Sequence, residues 1–205
     1  MAGTEATTRS PAYTAVLQPD GVRARETPAN AFRAAVRAFE AGPRLDMGLL
    51  AERLGISKTT LYRWTGSREQ LIGDILSYLS ERGYDQALEA TAEMEGVERV
   101  MAVARHFVET VVTFEPLNRF IENETPLAFR ILTIRGGPVE ETVSRRVGAL
   151  LEEERLRGSL TLRAPAATLA YAITKATEGF IYSDPLANID TDIDAAMSIT
   201  RLLLE

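Results

Sequence analysis

The most informative residues of this sequence lie between positions 57 and 64, where side chains that can donate hydrogen bonds or positive charge recur at helical spacing. They are Lys58, Thr59, Tyr62 and Arg63. Positions three and four apart share one face of a helix, and Leu61 and Trp64 fall on the opposite face. Two cations, a hydroxyl and a phenol on one face can bond to phosphates and to base edges in the major groove. The pattern therefore predicts a nucleic-acid-binding helix, and its alternative is a helical hairpin with a solvated basic face.

Start and stop signals on both sides predict the elements that position this face. Asp46 is a suitable cap for a helix that begins at Met47. Gly55 can adopt the left-handed conformation that ends a helix. Ser57 then caps a second helix, over residues 58–64. The segment thus predicts a helix-turn-helix in which the second helix presents the polar face.

A third helix is predicted directly after this pair. Ser67 and Gln70 have the spacing of a capping box. Arg68 then falls in the first turn, where a cation opposes the helix dipole and a bound phosphate would offset it. The sequence therefore predicts that Arg68 contacts a DNA phosphate.

A leading helix is predicted before the pair. Thr27 and Pro28 form a cap and a first-turn proline. An apolar stripe at spacings of three and four follows, formed by Phe32, Ala35, Val36 and Phe39. Gly42 and Pro43 end the helix.

The complete segment resembles the DNA-binding module of the TetR family of bacterial transcriptional regulators. In that family a leading helix is followed by a pattern like LA-x-x-LGIS-x-x-TLYR, and a Gly-Ser-Lys/Arg-Glu step then opens a long connecting helix. The matching residues here are Leu50, Ala51, Leu54, Gly55, Ile56, Ser57, Thr60, Leu61, Tyr62, Gly66, Ser67, Arg68, Glu69 and Leu71. Trp64 and Thr65 depart from the family pattern, so we expect a difference in packing at the end of the second helix.

This resemblance implies that the chain binds a palindromic double-stranded DNA operator, and the motif supplies the candidate contacts. The predicted DNA-binding residues are Ser57, Lys58, Thr59, Thr60, Tyr62, Arg63 and Arg68. Residues 1–27 are rich in Thr, Ala and Pro and predict a flexible arm. Arg23 and Arg25 in this arm are further candidates, because basic arms enter minor grooves. The alternative for the arm is a disordered leader without a DNA contact.

Charge is distributed unevenly along the chain. The formal net charge is −6, which by itself disfavours a nucleic-acid partner. Residues 22–70, however, hold nine Arg or Lys against five Asp or Glu, whereas residues from 71 onward hold thirteen against twenty-two. Electrostatic attraction to DNA is therefore expected at the helix-turn-helix. Cysteine is absent, and no apolar run resembles a signal peptide or a membrane span, so we expect a cytoplasmic protein.

The rest of the chain predicts further helices and no strands. We expect an all-α fold with a flexible arm over 1–27, a helix-turn-helix DNA-binding domain over 28–70, and a helical effector-binding and dimerisation domain over 71–205. The family layout implies roughly nine helices and a homodimer that pairs through the last two. Pro116 and Pro126 are expected to break the chain, and a helix is expected to run from 138 to 157.

A pocket for a small, largely apolar effector is also implied by the family. The candidate lining residues are Val103, His106, Phe107, Thr110, Phe114, Phe120, Asn123, Phe129, Tyr171, Lys175 and Glu178. Lys175 and Glu178 also fit a simple ion pair between positions i and i+3. His106, the one histidine, also fits an ordinary core or surface position. The string LYRWTGSREQL further resembles the QsdR-like subgroup, which implies a lactone-type effector with an acyl chain.

Two other functional classes are weighed against a ligand-responsive repressor. An enzyme is disfavoured because the chain has no G-x-S-x-G, phosphate-binding or dinucleotide-binding motif, and dispersed Ser, His and Asp residues remain the one catalytic option. No cofactor or metal site is expected. A constitutive DNA-binding factor without an effector remains open, although the large C-terminal part exceeds what DNA binding alone requires.

Overall fold

The fold, taken from a computed structural model, is described for residues 9–17, 27–183 and 191–205. Its helices are α1 (Pro11–Val16), α2 (Pro28–Ala41), α3 (Met47–Arg53), α4 (Lys58–Thr65), α5 (Arg68–Ala90), α6 (Gly96–Thr113), α7 (Glu115–Asn123), α8 (Thr125–Thr133), α9 (Pro138–Arg157), α10 (Ala166–Glu178) and α11 (Ile193–Leu204). A π-helical turn, Gly179–Ser183, continues α10. The described residues contain no strand, so the predicted all-α class is confirmed.

The N-terminal caps that the sequence predicts are present. The Thr27, Asp46, Ser57 and Ser67 side chains each accept a hydrogen bond from a backbone N–H two or three residues ahead, at 2.6 to 3.2 Å. These bonds satisfy donors that the first helical turn leaves without a partner. The predicted apolar stripe of α2 is buried throughout. Local sequence signals therefore define α2, α3 and α4 to within a residue.

The two predicted breaks at Pro116 and Pro126 are present, since α6 ends at Thr113 and α7 at Asn123. Pro116 and Pro126 each lie in the first turn of a helix, α7 and α8 respectively. Proline is favoured in that turn because its missing N–H would have no intrahelical partner there. The segment after α6 is consequently two short helices joined at Glu124.

By its contacts the chain divides into two compact units. The first comprises Met1–Tyr78 and Pro116–Val139, so it contains the helix-turn-helix together with α7 and α8. Its fully buried side chains include Phe32, Leu61, Leu71, Ile72 and Ile75. The first half of α5 belongs to this unit, and its residues 71–77 are all buried.

The second unit comprises Leu79–Glu115 and Glu140–Glu205. In it α11 packs against α6 and α10. A fully buried carboxylate, Glu154, ties the start of α6 to the end of α9. It accepts hydrogen bonds from the Gly96 N–H (2.6 Å), Arg99 (2.6 Å) and the Ser159 hydroxyl (2.7 Å). Burial alone would raise the pKa of Glu154, but these donors outweigh it and hold the pKa below its ordinary value.

The N-terminal segment differs in part from the flexible arm that the sequence predicts. Residues 11–16 form α1, which packs against α2 and α4. Ala12 and Tyr13 are buried, so this stretch has a tertiary environment. Its composition concealed this, because a six-residue helix with two buried side chains produces too short a pattern to detect. Arg23 and Arg25 lie outside the described residues.

Candidate nucleic-acid interface

The turn between α3 and α4 has the geometry that a helix-turn-helix requires. Gly55 has a φ of 64°, in the left-handed region that favours glycine. The Ile56 N–H then donates to the Ala51 carbonyl at 3.1 Å, which closes the turn onto α3. At the other end of α3, backbone N–H groups of Leu49 and Gly48 donate to Asp46 and lower the pKa of its carboxyl group. The start of α3 is therefore fixed as well.

Helix α4 has two distinct faces. Leu61 and Thr65 are fully buried, so they fix its inner side. The outer side exposes Ser57, Lys58, Thr59, Tyr62 and Arg63. Thr60 is half-buried, and its N–H and hydroxyl both bond to the Ser57 side chain, at 3.1 and 2.9 Å. Ser57 and Thr60 thus support the cap, while the other exposed donors face solvent.

Thr65 explains the departure at the end of α4. Its hydroxyl donates to the Leu61 carbonyl at 2.9 Å, one turn back, while its methyl group lies in the core. Threonine therefore takes a buried position here without leaving a polar atom unsatisfied. Trp64, on the same helix, is half-buried.

Lys58 lies against the beginning of α3. A Cβ atom built on Gly48 would lie only 3.1 Å from both Cε and Nζ of Lys58, so a glycine at position 48 makes room for this side chain. The Asp46 carboxylate is close enough for the Lys58 charge to help lower its pKa. The ammonium group consequently sits where the N-terminal turns of α3 and α4 meet.

Arg68 does not have the surroundings expected of a phosphate anchor. Its side chain is only 20% exposed, and Nε donates to the Leu45 carbonyl at 2.7 Å. Its two terminal nitrogens donate to both carboxylate oxygens of Glu124, at 2.7 and 2.5 Å. This bidentate pair lowers the pKa of Glu124 below its ordinary value. Arg68 therefore joins α5 to the α7–α8 junction and to the loop before α3. These internal hydrogen bonds take the place of the phosphate contact that was predicted from the helix dipole.

Three further contacts connect α7 and α8 to α2 and to the first turn of α5. Arg119 donates to the carbonyl of Glu40 near the end of α2, at 2.7 Å. Phe120 packs edge-on against Phe39, with ring centroids 5.8 Å apart. On α8, Arg130 pairs with Glu69 at 2.6 Å. We call Arg119, Phe120, Glu124 and Arg130 the α7–α8 contact set.

The predicted effector-binding residues fall into both units. Phe120, Asn123 and Phe129 belong to the first, where Phe120 is buried, Phe129 is half-buried and Asn123 is exposed. The second unit contains Val103, His106, Phe107, Thr110, Phe114, Tyr171, Lys175 and Glu178. The contacts of each unit therefore bring together only part of this set.

Five of the predicted residues lie on α6 or directly after it, and they differ in burial. Val103 and Phe107 are buried, and Phe107 stacks on Tyr84 of α5 with ring centroids 4.1 Å apart. His106, Thr110 and Phe114 are half-buried. The Thr110 hydroxyl donates to the His106 carbonyl at 2.8 Å, so it is satisfied within α6.

On α10, the predicted polar residues do meet. Lys175 donates to Glu178 at 2.8 Å, and its ammonium lies 5.8 Å from the centre of the Tyr171 ring. Burial raises the pKa of Glu178, although Lys175 acts in the opposite direction. The neighbouring Thr174 hydroxyl is buried without a hydrogen-bond partner among the described residues. The alternative of a simple ion pair is thus observed, but it lies in a half-buried polar cluster.

Comparison with known proteins identifies the family. A family model described as tetracyclin repressor-like, C-terminal domain, matches residues 95–205. The chain belongs to the TetR family of transcriptional regulators. No curated protein sequence matches it.

Solved structures extend this family assignment to most of the chain. The TetR-family transcriptional repressor QsdR of R. erythropolis is 27% identical, with a TM-score of 0.79 over 86% of this chain and 93% of its own. The predicted resemblance to QsdR is therefore confirmed. The fatty acid degradation regulator FadR of Bacillus halodurans is 16% identical, with a TM-score of 0.55 over 87% and 97%, and shares the fold.

For this TetR-family chain, two further observations concern the described residues. None of their helices is long and apolar enough to cross a membrane. No group of three or more His, Asp or Glu side chains among them is placed to hold a metal ion.

Sequence reasoning missed several residues that the structure places in the first unit's interior. Arg9 and Asp74 pair across 65 residues of sequence, and Glu124 binds Arg68 across 56. Such pairs have no local signature, because each partner alone resembles a solvated charge. The one available signal was Asp74, a charge on the apolar side of α5 between Leu71 and Ile75.

Proposed function

We propose that this protein is a repressor that binds a palindromic operator as a homodimer and leaves it when a small, largely apolar effector binds. The observation that supports DNA binding most directly is the pair of faces on α4. Leu61 and Thr65 anchor the inner face, and Lys58, Tyr62 and Arg63 are exposed on the outer one. A helix held in this way can enter the major groove with its donors directed at the bases.

Different roles are assigned to the exposed side chains of α4. Arg63 can bond to two acceptors of a guanine at once, so it is the proposed determinant of sequence preference. Tyr62 is 46% exposed and can place its hydroxyl on a phosphate while its ring contacts a thymine methyl. Lys58 supplies a cation at the junction of two helix N-termini, a position that suits a phosphate. Ser57 and Thr60 contribute by holding the cap.

The charge distribution supports the same orientation on DNA. Residues 22–70 have a net charge of +4, and those from 71 onward have −9. The basic segment attracts the phosphate backbone, while the acidic remainder is repelled by it. We keep residues 28–70 as the proposed DNA-binding domain and 71–205 as the effector-binding and dimerisation domain.

Homodimerisation is proposed through α10 and α11. On α11, the large apolar side chains of Ile199 and Leu202 are 40% and 70% exposed, and their spacing of three places them on one face of the helix. On α10, Ala172 and Ala176 are half-buried, and Gly179 just beyond it is exposed. Small side chains allow helices to approach closely, so these faces suit a packed interface. Two α4 helices would then lie roughly 34–36 Å, or a multiple of this, apart on DNA.

Effector binding is proposed in the second unit, with Phe107 and its α6 neighbours as the apolar wall and the Tyr171, Lys175 and Glu178 cluster as the polar end. An acyl chain suits the apolar wall, and the carbonyl oxygens of a lactone suit the polar cluster. Helix α5 includes residues of both units, and the α7–α8 contact set joins α7 and α8 to α2 and to the start of α5. Effector binding is proposed to alter operator affinity through these elements by favouring one of two conformations.

The test is fluorescence anisotropy with DNA from upstream of the protein's own gene, at physiological salt. Arg63→Ala is expected to reduce the preference for operator over unrelated DNA by about tenfold, as expected from losing a bidentate base contact. Arg163→Ala, which removes an exposed arginine distant in sequence from α4, serves as the matched control and should behave like the wild type. Equal effects of both changes would contradict the assignment of α4.

A further inference from the structure

We propose that α1 is a fourth helix of the DNA-binding domain and positions the recognition helix α4, with Arg9 as the key positioning residue. This inference rests on the proposed function only for its DNA-binding readout. The motif-based DNA-binding segment begins at residue 28, so α1 lies outside it. Helix α1 nevertheless contacts both α2 and α4.

The attachment of α1 begins at a buried carboxylate. Asp74 on α5 is 1% exposed and accepts a hydrogen bond from the Ser10 N–H at 3.1 Å. Ser10 is itself fully buried, and its hydroxyl caps α1 by accepting from the Tyr13 N–H at 3.2 Å. One residue therefore starts the helix and joins it to α5. Burying a carboxylate is costly unless such partners are present, so Asp74 depends on this segment.

Arg9 extends the attachment to two further points. Its guanidinium donates to the Ser77 hydroxyl and to the carbonyl of Pro138, both at 2.7 Å. It also lies 3.7 Å from the Asp74 carboxylate and 4.9 Å from the centre of the Tyr13 ring. We call Arg9, Ser10, Asp74, Ser77 and Pro138 the N-terminal anchor. It joins α1, α5 and the first residue of α9 within one unit.

A row of aromatic rings continues from the anchor into the core. Tyr13 of α1 packs edge-on against Phe32 of α2, and Phe32 packs edge-on against Tyr78 of α5, both with centroids 5.6 Å apart. Phe32 is fully buried. Loss of α1 would therefore uncover the Phe32 ring, which lies in the core of the first unit.

The consequence for α4 follows from where its buried side chains lie. Leu61 and Thr65 fix only the inner face, and α4 is eight residues long, so its orientation depends on the helices that pack against it. Helices α1, α2 and α3 all do so. A loosened α1 would leave α4 folded but free to rotate, which would cost operator affinity more than nonspecific DNA affinity. This difference distinguishes positioning from general stability.

The experiment compares full-length Arg9→Ala with the wild type and with Arg163→Ala. Affinities for operator and for unrelated DNA are measured by anisotropy, and a stoichiometric titration gives the active fraction. We expect roughly five- to tenfold weaker operator binding, as the loss of charge-assisted hydrogen bonds implies, with the active fraction unchanged. Arg9→Lys keeps the charge but cannot reach both acceptors, so an intermediate affinity is expected.

A second readout does not depend on DNA. Trp64, the one tryptophan of the chain, lies on α4. Arg9→Ala should shift its fluorescence emission or change its acrylamide quenching, and Arg163→Ala should not. Unchanged emission, or a loss of operator binding fully explained by a smaller active fraction, would overturn the inference. If the wild type binds no operator, the proposed function fails, and the Trp64 signal still decides whether α1 positions α4.

Discussion

Replacing Arg68 with alanine separates two roles for this side chain, a phosphate contact and an internal brace. In the structure Arg68 makes three short hydrogen bonds, two of them to Glu124, whose side chain is 14% exposed. Removing one partner of a well-buried ion pair costs roughly 3–5 kcal/mol. Partial exposure and the remaining Arg44, 3.7 Å from Glu124, reduce this. We expect the free energy of unfolding to fall by about 2–3 kcal/mol.

Urea unfolding at neutral pH measures this loss, and operator binding across a range of salt concentrations measures the other role. A phosphate contact would contribute about 0.9 to the slope of log affinity against log salt. The brace predicts an unchanged slope for Arg68→Ala. Glu124→Gln, which leaves Arg68 in place, is the matched variant and should also destabilise without altering the slope. A slope lowered by about 0.9 with an unaltered free energy of unfolding would refute the brace.

Four further predictions concern pH, assembly and the effector. Arg68 holds the pKa of Glu124 below its ordinary value, so the pair stabilises the fold at pH values above the ordinary pKa and ceases to do so as pH falls through the lowered pKa. Glu124→Gln should therefore flatten the acid side of a plot of melting temperature against pH. Burial raises the pKa of Glu178, so its stability contribution is lost as pH rises through that pKa; Glu178→Gln should reduce the difference in melting temperature between pH 5 and pH 8, and an unchanged difference would refute this. Leu202→Glu should dissociate the proposed dimer in sedimentation equilibrium and weaken operator binding by about a hundredfold, whereas Leu156→Glu, at a similarly exposed leucine of α9, should do neither. Lys175→Met should abolish release by an acyl lactone in the anisotropy assay while leaving operator affinity unchanged, and retained release would exclude Lys175 from the effector site.

The helix-turn-helix was the part of the fold most accessible from sequence. Asp46, Gly55 and Ser57 act through their own backbone neighbours, so their types and spacing determine where α3 and α4 begin and end. The buried stripe of α2 follows from its period for the same reason. These signals are local, and the structure preserves them.

Contacts between distant segments were not accessible in this way. Arg68 has the spacing of a first-turn cation, and only the position of Glu124 after α7 turns it into a brace. Pro116 and Pro126 have the same local sequence pattern whether they end one helix or begin the next. The packing of α1 depends on Asp74, which lies 64 residues from Ser10. Tertiary partners of this kind determine the role of a charged side chain, and a single sequence does not show which distant residues meet.

In the proposed function, the α4 helices of two protomers recognise a two-fold symmetric DNA site. Hydroxyl-radical footprinting of the DNA upstream of the protein's own gene, at physiological salt, tests it most directly. Two protected half-sites related by a dyad are expected, with centres one helical turn or a multiple of it apart. Arg63→Ala should need about tenfold more protein for the same protection. A footprint without symmetry, or no protection at concentrations that saturate nonspecific DNA, would contradict it.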